Sequence, residues 1–115
     1  MEKKVEISIL CEIYGKLLTE KQRIFLEDYY NNDLSLSEIA ENENITRQAV
    51  RDIIKKGENK LFEMEEKLGF MKKRIEQEQQ IAIILEELRK IDEDVSDKKI
   101  AKILKDVNEK LNCLV

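Results

Sequence analysis

The side chains best placed to do chemistry in this sequence are hydrogen-bonding groups at helical spacing. Arg47, Gln48, Arg51 and Lys55 share the exposed side of a helix if Val50, Ile53 and Ile54 form its inner face. Arginine can bond guanine through two parallel hydrogen bonds, and glutamine can do the same with adenine. Between Thr46 and Gly57 four basic residues (Arg47, Arg51, Lys55, Lys56) face one acidic residue, Asp52. Lys72, Lys73 and Arg74 form a second basic cluster further along. Such a set suits recognition of an anionic partner. It does not suit bond making or breaking.

The rest of the composition excludes most catalytic chemistry. There is no histidine, so there is no imidazole base and no histidine-ligated metal. Cys11 and Cys113 lie too far apart in sequence for a local zinc knuckle or a CxxC redox pair. Each falls in an apolar helical pattern and is expected to behave as a small buried hydrophobe. No two of the twenty-five carboxylates stand out as a pair, and there is no phosphate loop or activated nucleophile. The sequence therefore reads as a non-enzyme with no cofactor and no metal. Tyr29 and Tyr30 could stack on bases, but an aromatic pair on an amphipathic helix reads first as core or rim. Net charge is −4 and the isoelectric point about 5.1, so the basic charge is local and non-specific affinity for phosphate is expected to be weak.

Helices must position these groups. Charged residues make up 40% of the 115 residues and hydrophobic ones 42%; with three glycines and no proline, that balance points to an all-α chain. Val5, Ile9, Ile13 and Leu17, with Leu10, Tyr14 and Leu18 beside them, mark a first amphipathic helix. Thr19 caps a second, carrying Phe25, Leu26, Tyr29 and Tyr30, which Asn31, Asn32 and Asp33 end. Ser35 opens a short third helix with Glu38 as its capping-box partner. Thr46 caps a fourth that continues through Leu61, Met64 and Leu68, with a possible kink at Gly57. Gly69 is the natural end. Beyond it Met71, Ile75, Ala82, Leu85, Leu88 and Ile91 describe a long fifth helix. A loop at 92–97 follows, with Ser96 as the expected cap of a sixth helix carrying Ile100, Leu104, Val107, Leu111 and Leu114. The organisation read from this is a unit over 1–69 and a C-terminal helical hairpin over 70–115, within one compact domain. The longest uninterrupted apolar run, Ile81 to Leu85, is far short of a membrane span, and nothing at the start resembles a secretory leader; a cytoplasmic protein is expected.

Leu34 to Lys56 thus reads as a helix-turn-helix. Ala40 is small enough to let the second helix approach, and Asn44 tolerates the positive φ that such a turn needs. Thr46, Arg47, Gln48, Arg51 and Lys55, joined by Ser35 and Ser37, are the candidate binding surface for duplex DNA or a partner molecule. The runs Leu18 to Arg23, Leu34 to Ala40 and Ile45 to Arg51 resemble region 4 of the sigma-70 family. More closely, Thr19 to Leu68 resembles the YlxM-like family of small bacterial DNA-binding-type proteins, through Thr19-Glu20-Lys21-Gln22-Arg23, Tyr29-Tyr30, Thr46-Arg47-Gln48-Ala49-Val50 and Glu65-Glu66-Lys67-Leu68. The resemblance covers roughly half the chain. It implies an all-helical protein, often encoded beside the signal recognition particle GTPases and held to act in or regulate that pathway. The alternative reading is an adaptor that contacts a protein or ribonucleoprotein partner, such as a signal recognition particle component, through the same basic helix. One position departs from the pattern. Before Asn44 these motifs carry leucine or phenylalanine, and Glu43 cannot plug the space between the helices as they do. The fifth helix has an apolar stripe wider than one partner helix would cover, including Ile81, Ile84, Leu85, Leu88 and Ile91, so a homodimer built on the hairpin is expected.

Overall fold

Thr19 and Ser35 each close a reciprocal capping box, and these two boxes set the course of the N-terminal half. Gln22 N–H donates to the Thr19 hydroxyl at 3.2 Å while Thr19 N–H donates to the Gln22 side chain at 3.1 Å. Glu38 N–H donates to Ser35 at 3.0 Å and Ser35 N–H donates to the Glu38 carboxylate at 3.2 Å. Caps of this kind contribute roughly 1 kcal/mol each. The computed structural model describes residues 1–94 and 97–114, and of residues 92–94 the backbone. Among the described residues it is all helical: α1 Lys3–Tyr14, a 3-10 turn Gly15–Leu17, α2 Glu20–Tyr30, α3 Leu36–Glu43, α4 Arg47–Leu68, α5 Phe70–Asp94 and α6 Lys98–Asn112. The sequence expectation of an all-α chain holds.

Two compact units divide the chain, Met1–Met71 and Lys72–Val115. In the first, α1, α2 and α3 pack around the long α4. Ile7, Leu10, Tyr14, Leu18, Phe25, Leu26, Ile39, Ala40, Val50, Ile54 and Leu61 are its buried core. The inner face of α1 differs from the sequence reading. Val5 and Leu17 are exposed, whereas Leu10, Tyr14 and Leu18 of the expected stripe are buried and Ile7 joins them. The 3-10 turn ends α1 before Leu17, and the buried stripe follows the 3-4 rhythm of a packed helix rather than a strict step of four.

Gly57 does not interrupt α4. It is where α2 crosses: a Cβ there would stand 2.9 Å from Leu26 Cδ1 and 3.4 Å from Gln22 Cβ. Gly69 does end the helix, at φ 66°, with its N–H on the Glu65 carbonyl at 2.8 Å. The corner is tied by side chains. The Tyr14 hydroxyl donates to the Glu65 carboxylate at 2.7 Å, which also accepts Met71 N–H at 2.9 Å.

The second unit carries no buried side chain among its described residues. Ile81, Leu85 and Leu88 of α5 and Ala101, Leu104 and Leu111 of α6 are half-buried, whereas Ile84 and Ile91 are exposed. Asp97 caps α6 by accepting Lys99 N–H at 2.8 Å. Ser96, expected in that role, lies outside the described residues, and α5 runs on to Asp94, shortening the expected loop. Cys113 corrects another expectation. It lies past the last turn of α6 and is exposed, whereas Cys11 is half-buried against the core of the first unit. Burial, and secondarily the charge of Glu27, pushes the Cys11 thiol above its ordinary range.

Candidate nucleic-acid interface

The turn between α3 and α4 is built by backbone chemistry that its residues make inexpensive. Asn44 ends α3 in the left-handed region, φ 57°, which asparagine tolerates better than most residues. Ile45 then turns inward, its N–H on the Ala40 carbonyl at 3.1 Å and its side chain packed against the core. Glu43 is exposed and takes no part in the packing. Ala40, with its single methyl group, lies buried where the two helices meet.

Thr46 starts α4 by accepting Ala49 N–H at 3.0 Å. With Val50 and Ile54 buried, Arg47, Gln48, Arg51 and Lys55 are turned to solvent, as their spacing requires. Arg47, Arg51 and Lys55 follow one another at steps of four and form one ridge. Among the described residues no hydrogen bond or ion pair occupies any of the three. Gln48 is different. Its amide donates to Asp52 at 3.0 Å, so one of its two donors is engaged and an acid lies beside the ridge. Arg47, Gln48 and Arg51 line a shallow concavity with Leu36 of α3.

The hydroxyl of Ser35 is committed to its cap, and Ser37 is exposed in the first turn of α3. Arg74 of the second basic cluster is paired with Glu78 at 3.3 Å and lies in the other unit. Leu36 is half-buried, packing against the core while it borders the basic ridge. Sequence reasoning treated the two tyrosines as equivalent. Tyr30 is half-buried with its hydroxyl donating to Glu58, while Tyr29 is 37% exposed and stands edge-on to it at 5.0 Å. Neighbours on a helix point about 100° apart, so only one could face inward.

Among the described residues no cluster of three or more Cys, Asp or Glu could hold a metal ion. None of the described helices is long and apolar enough to cross a membrane. The unit offers hydrogen-bond donors and positive charge on the exposed face of α4.

Comparison with known proteins agrees with this geometry. Residues 1–107 match the profile of the family UPF0122, described as "Putative helix-turn-helix protein, YlxM / p13 like". A UPF0122 protein of Acetivibrio thermocellus is 44% identical over 115 residues, covering all of this chain and 98% of the relative. One from Clostridium kluyveri is 56% identical over 79 residues, covering 67% of this chain and 71% of the relative. One from Fusobacterium nucleatum is 54% identical over 80 residues, covering 68% and 78%.

Proposed function

Because the chain belongs to the UPF0122 family of helix-turn-helix proteins, we propose that it is a non-enzymatic regulatory protein that binds duplex DNA with the first turns of α4. The observation that carries this is the ridge of Arg47, Arg51 and Lys55, uncommitted among the described residues, beside Gln48. A helix of about 10–12 Å diameter fits a major groove about 12 Å wide. The setting we propose is the cytoplasm and the signal recognition particle pathway, as the resemblance to YlxM-like proteins implies. Titrating the protein against genomic DNA fragments at physiological salt tests the reading. Replacing Arg47 or Arg51 by alanine should cost roughly 1–3 kcal/mol of binding if each reads a base. Unchanged binding in the double variant would remove the recognition-helix assignment.

A second reading is favoured by one observation. Asp52 and the net charge of −4 oppose phosphate, and Gln48 is already bonded to Asp52. On that reading the same helix serves as an adaptor to a protein or ribonucleoprotein partner such as a signal recognition particle component. Excess duplex DNA separates the two. It should displace a partner from a shared surface if DNA is the ligand, and an adaptor should respond less to salt.

We also propose that a second copy of the chain covers the hairpin. Ile84 and Ile91 on α5, and Ile100 and Val107 on α6 with Leu114 just past its end, are exposed at intervals of seven residues, the repeat of a helix-to-helix seam. α5 carries five basic and seven acidic residues and α6 five basic and two acidic. The α6 of one copy therefore complements the α5 of another. A two-fold pair would supply two recognition helices for successive half-sites about 34–36 Å apart.

A further inference from the structure

Beside the recognition ridge lies a second concavity, a cleft of about 250 Å³ lined by Lys3 of α1, Tyr29 and Tyr30 of α2, Leu36 of α3, and Arg51, Lys55 and Glu58 of α4. It shares Leu36 and Arg51 with the concavity that Arg47 and Gln48 border, so the two form one continuous surface. We propose that this cleft seats a backbone phosphate of the bound duplex, held by Lys55, Arg51 and the hydroxyl of Tyr29. The proposal rests on the DNA-binding reading and adds the residues that would fix the register of the helix on the duplex.

The charges in the cleft favour an anion once they are paired off. Glu58 is its only acid, and its carboxylate is already met by Lys3 Nζ at 3.3 Å and by the Tyr30 hydroxyl. Arg51 and Lys55 are left with no partner among the described residues. Tyr29 is uncommitted in the same sense: its ring is held edge-on by Tyr30, and its hydroxyl makes no hydrogen bond among the described residues. Tyrosine hydroxyls and basic side chains are among the groups that bond phosphate oxygens and set orientation without reading sequence.

Distance along the helix agrees. Lys55 lies eight residues beyond Arg47, about 12 Å along the axis. The major groove is about as wide. With Arg47 and Gln48 at base edges, Lys55 and the cleft stand at a wall of the groove, where the phosphates are.

Tyr29→Phe and Lys55→Gln test the proposal on the full-length protein, with sheared genomic duplex DNA as the probe. Tyr29→Phe keeps the ring contact and removes only the hydroxyl; Lys3 is not a usable target, because its loss would uncover Glu58. The expected result for Tyr29→Phe is a loss of affinity of roughly tenfold, equal across fragments and with an unchanged salt slope. Lys55→Gln should lower the slope of log K against log salt by about 0.9. If Arg47→Ala weakens binding while these two variants bind as the wild type does, the cleft is overturned and the recognition helix stands. If the wild type binds no duplex DNA, the parent reading falls first and takes the cleft with it. Equal affinity for duplex RNA of the same length would overturn the commitment to DNA.

Discussion

The two units are made from the same kind of helix and yet end in opposite states. The first buries eleven apolar side chains to less than a tenth of their surface. The second buries none among its described residues and leaves Ile83, Ile84, Ile91, Ile100, Ile103, Val107 and Leu114 exposed. The difference is closure. In the first unit three elements converge on α4 from different sides, so an amphipathic stripe on each finds a complete surround. The second unit has only two helices among its described residues, α5 and α6, and two helices can cover each other on one side only. Charge does not compensate. Arg74–Glu78, Arg89–Glu86 and Lys110–Asp106 are one-turn surface pairs, each contributing about 0.3–0.5 kcal/mol. An amphipathic sequence makes a helix; a core requires a third surface.

The largest effect is expected in the core of the first unit. Leu61 is fully buried on α4, and Leu61→Ala should cost about 2–5 kcal/mol by chemical denaturation. Ile83, 60% exposed, is the control on α5, and Ile83→Ala should stay within about 0.5 kcal/mol. Equal losses would mean that the second unit has a core of its own in solution.

Next in size is the hairpin. If a second copy supplies the missing surface, each of Ile84 and Ile100, about half exposed, gains roughly 1 kcal/mol from burial on pairing. The Ile84→Glu, Ile100→Glu variant should sediment as a monomer at micromolar concentration and lose helical signal, while Leu61 and its neighbours stay protected from hydrogen exchange. A wild-type chain that is monomeric at that concentration would remove the dimer.

The first unit was more legible in sequence than the second, for the same physical reason. Its features are local: Ser35 with Glu38, Thr46, the left-handed Asn44 and Gly69 are each determined within one turn of chain, and all appear where the sequence places them. The stripe of α1 was misread at Val5 and Leu17 because its choice of face depends on contacts with α2 and α4, which sequence spacing does not contain. Glu43 is exposed, while Ile45, two residues on, packs against the core, a choice set by tertiary contacts and not by spacing. At the site, the exposed ridge could be read from the period of α4. The part played by Lys3, fifty residues from its neighbours on α4, could not, because nothing local brings α1 there. In the second unit the wide stripe was visible, but how it divides into covered and exposed strips depends on where the partner helix lies.

Gly57 offers a smaller test of how tightly the first unit closes. Alanine would improve helix propensity by about 1 kcal/mol, but its methyl would stand 2.9 Å from the buried Leu26. Overpacking of that kind costs roughly 1–3 kcal/mol. Gly57→Ala is therefore expected to destabilise by about 1 kcal/mol net, read as a shift in the denaturation midpoint. A stabilised variant would show that α2 and α4 separate at little cost, and the closure argument would lose its strongest contact.

The smallest effect comes from alkaline pH, and it is confined to one unit because all three tyrosines lie in the first. Burial, then the hydrogen bond to Glu58, holds the Tyr30 phenol well above its ordinary value; burial, then the hydrogen bond to Glu65, also raises Tyr14. In the unfolded chain both phenols ionise near pH 10. Below that pH both states keep the proton and the hydrogen bonds contribute fully. Above it the unfolded chain sheds protons that the folded one retains, so stability falls as pH rises towards the folded values. Tyr30 is only half-buried, which should keep its pH-dependent share below about 1 kcal/mol. Tyr30→Phe should therefore be slightly less stable than the wild type at pH 8, and the gap should narrow above pH 10. Lysines titrate there too, but equally in both proteins, so the difference between the two curves isolates the phenol. A gap that stays constant from pH 8 to 11 would mean that Tyr30 supports the closed unit by the packing of its ring alone, and that its bond to Glu58 adds nothing to the contrast between the two halves.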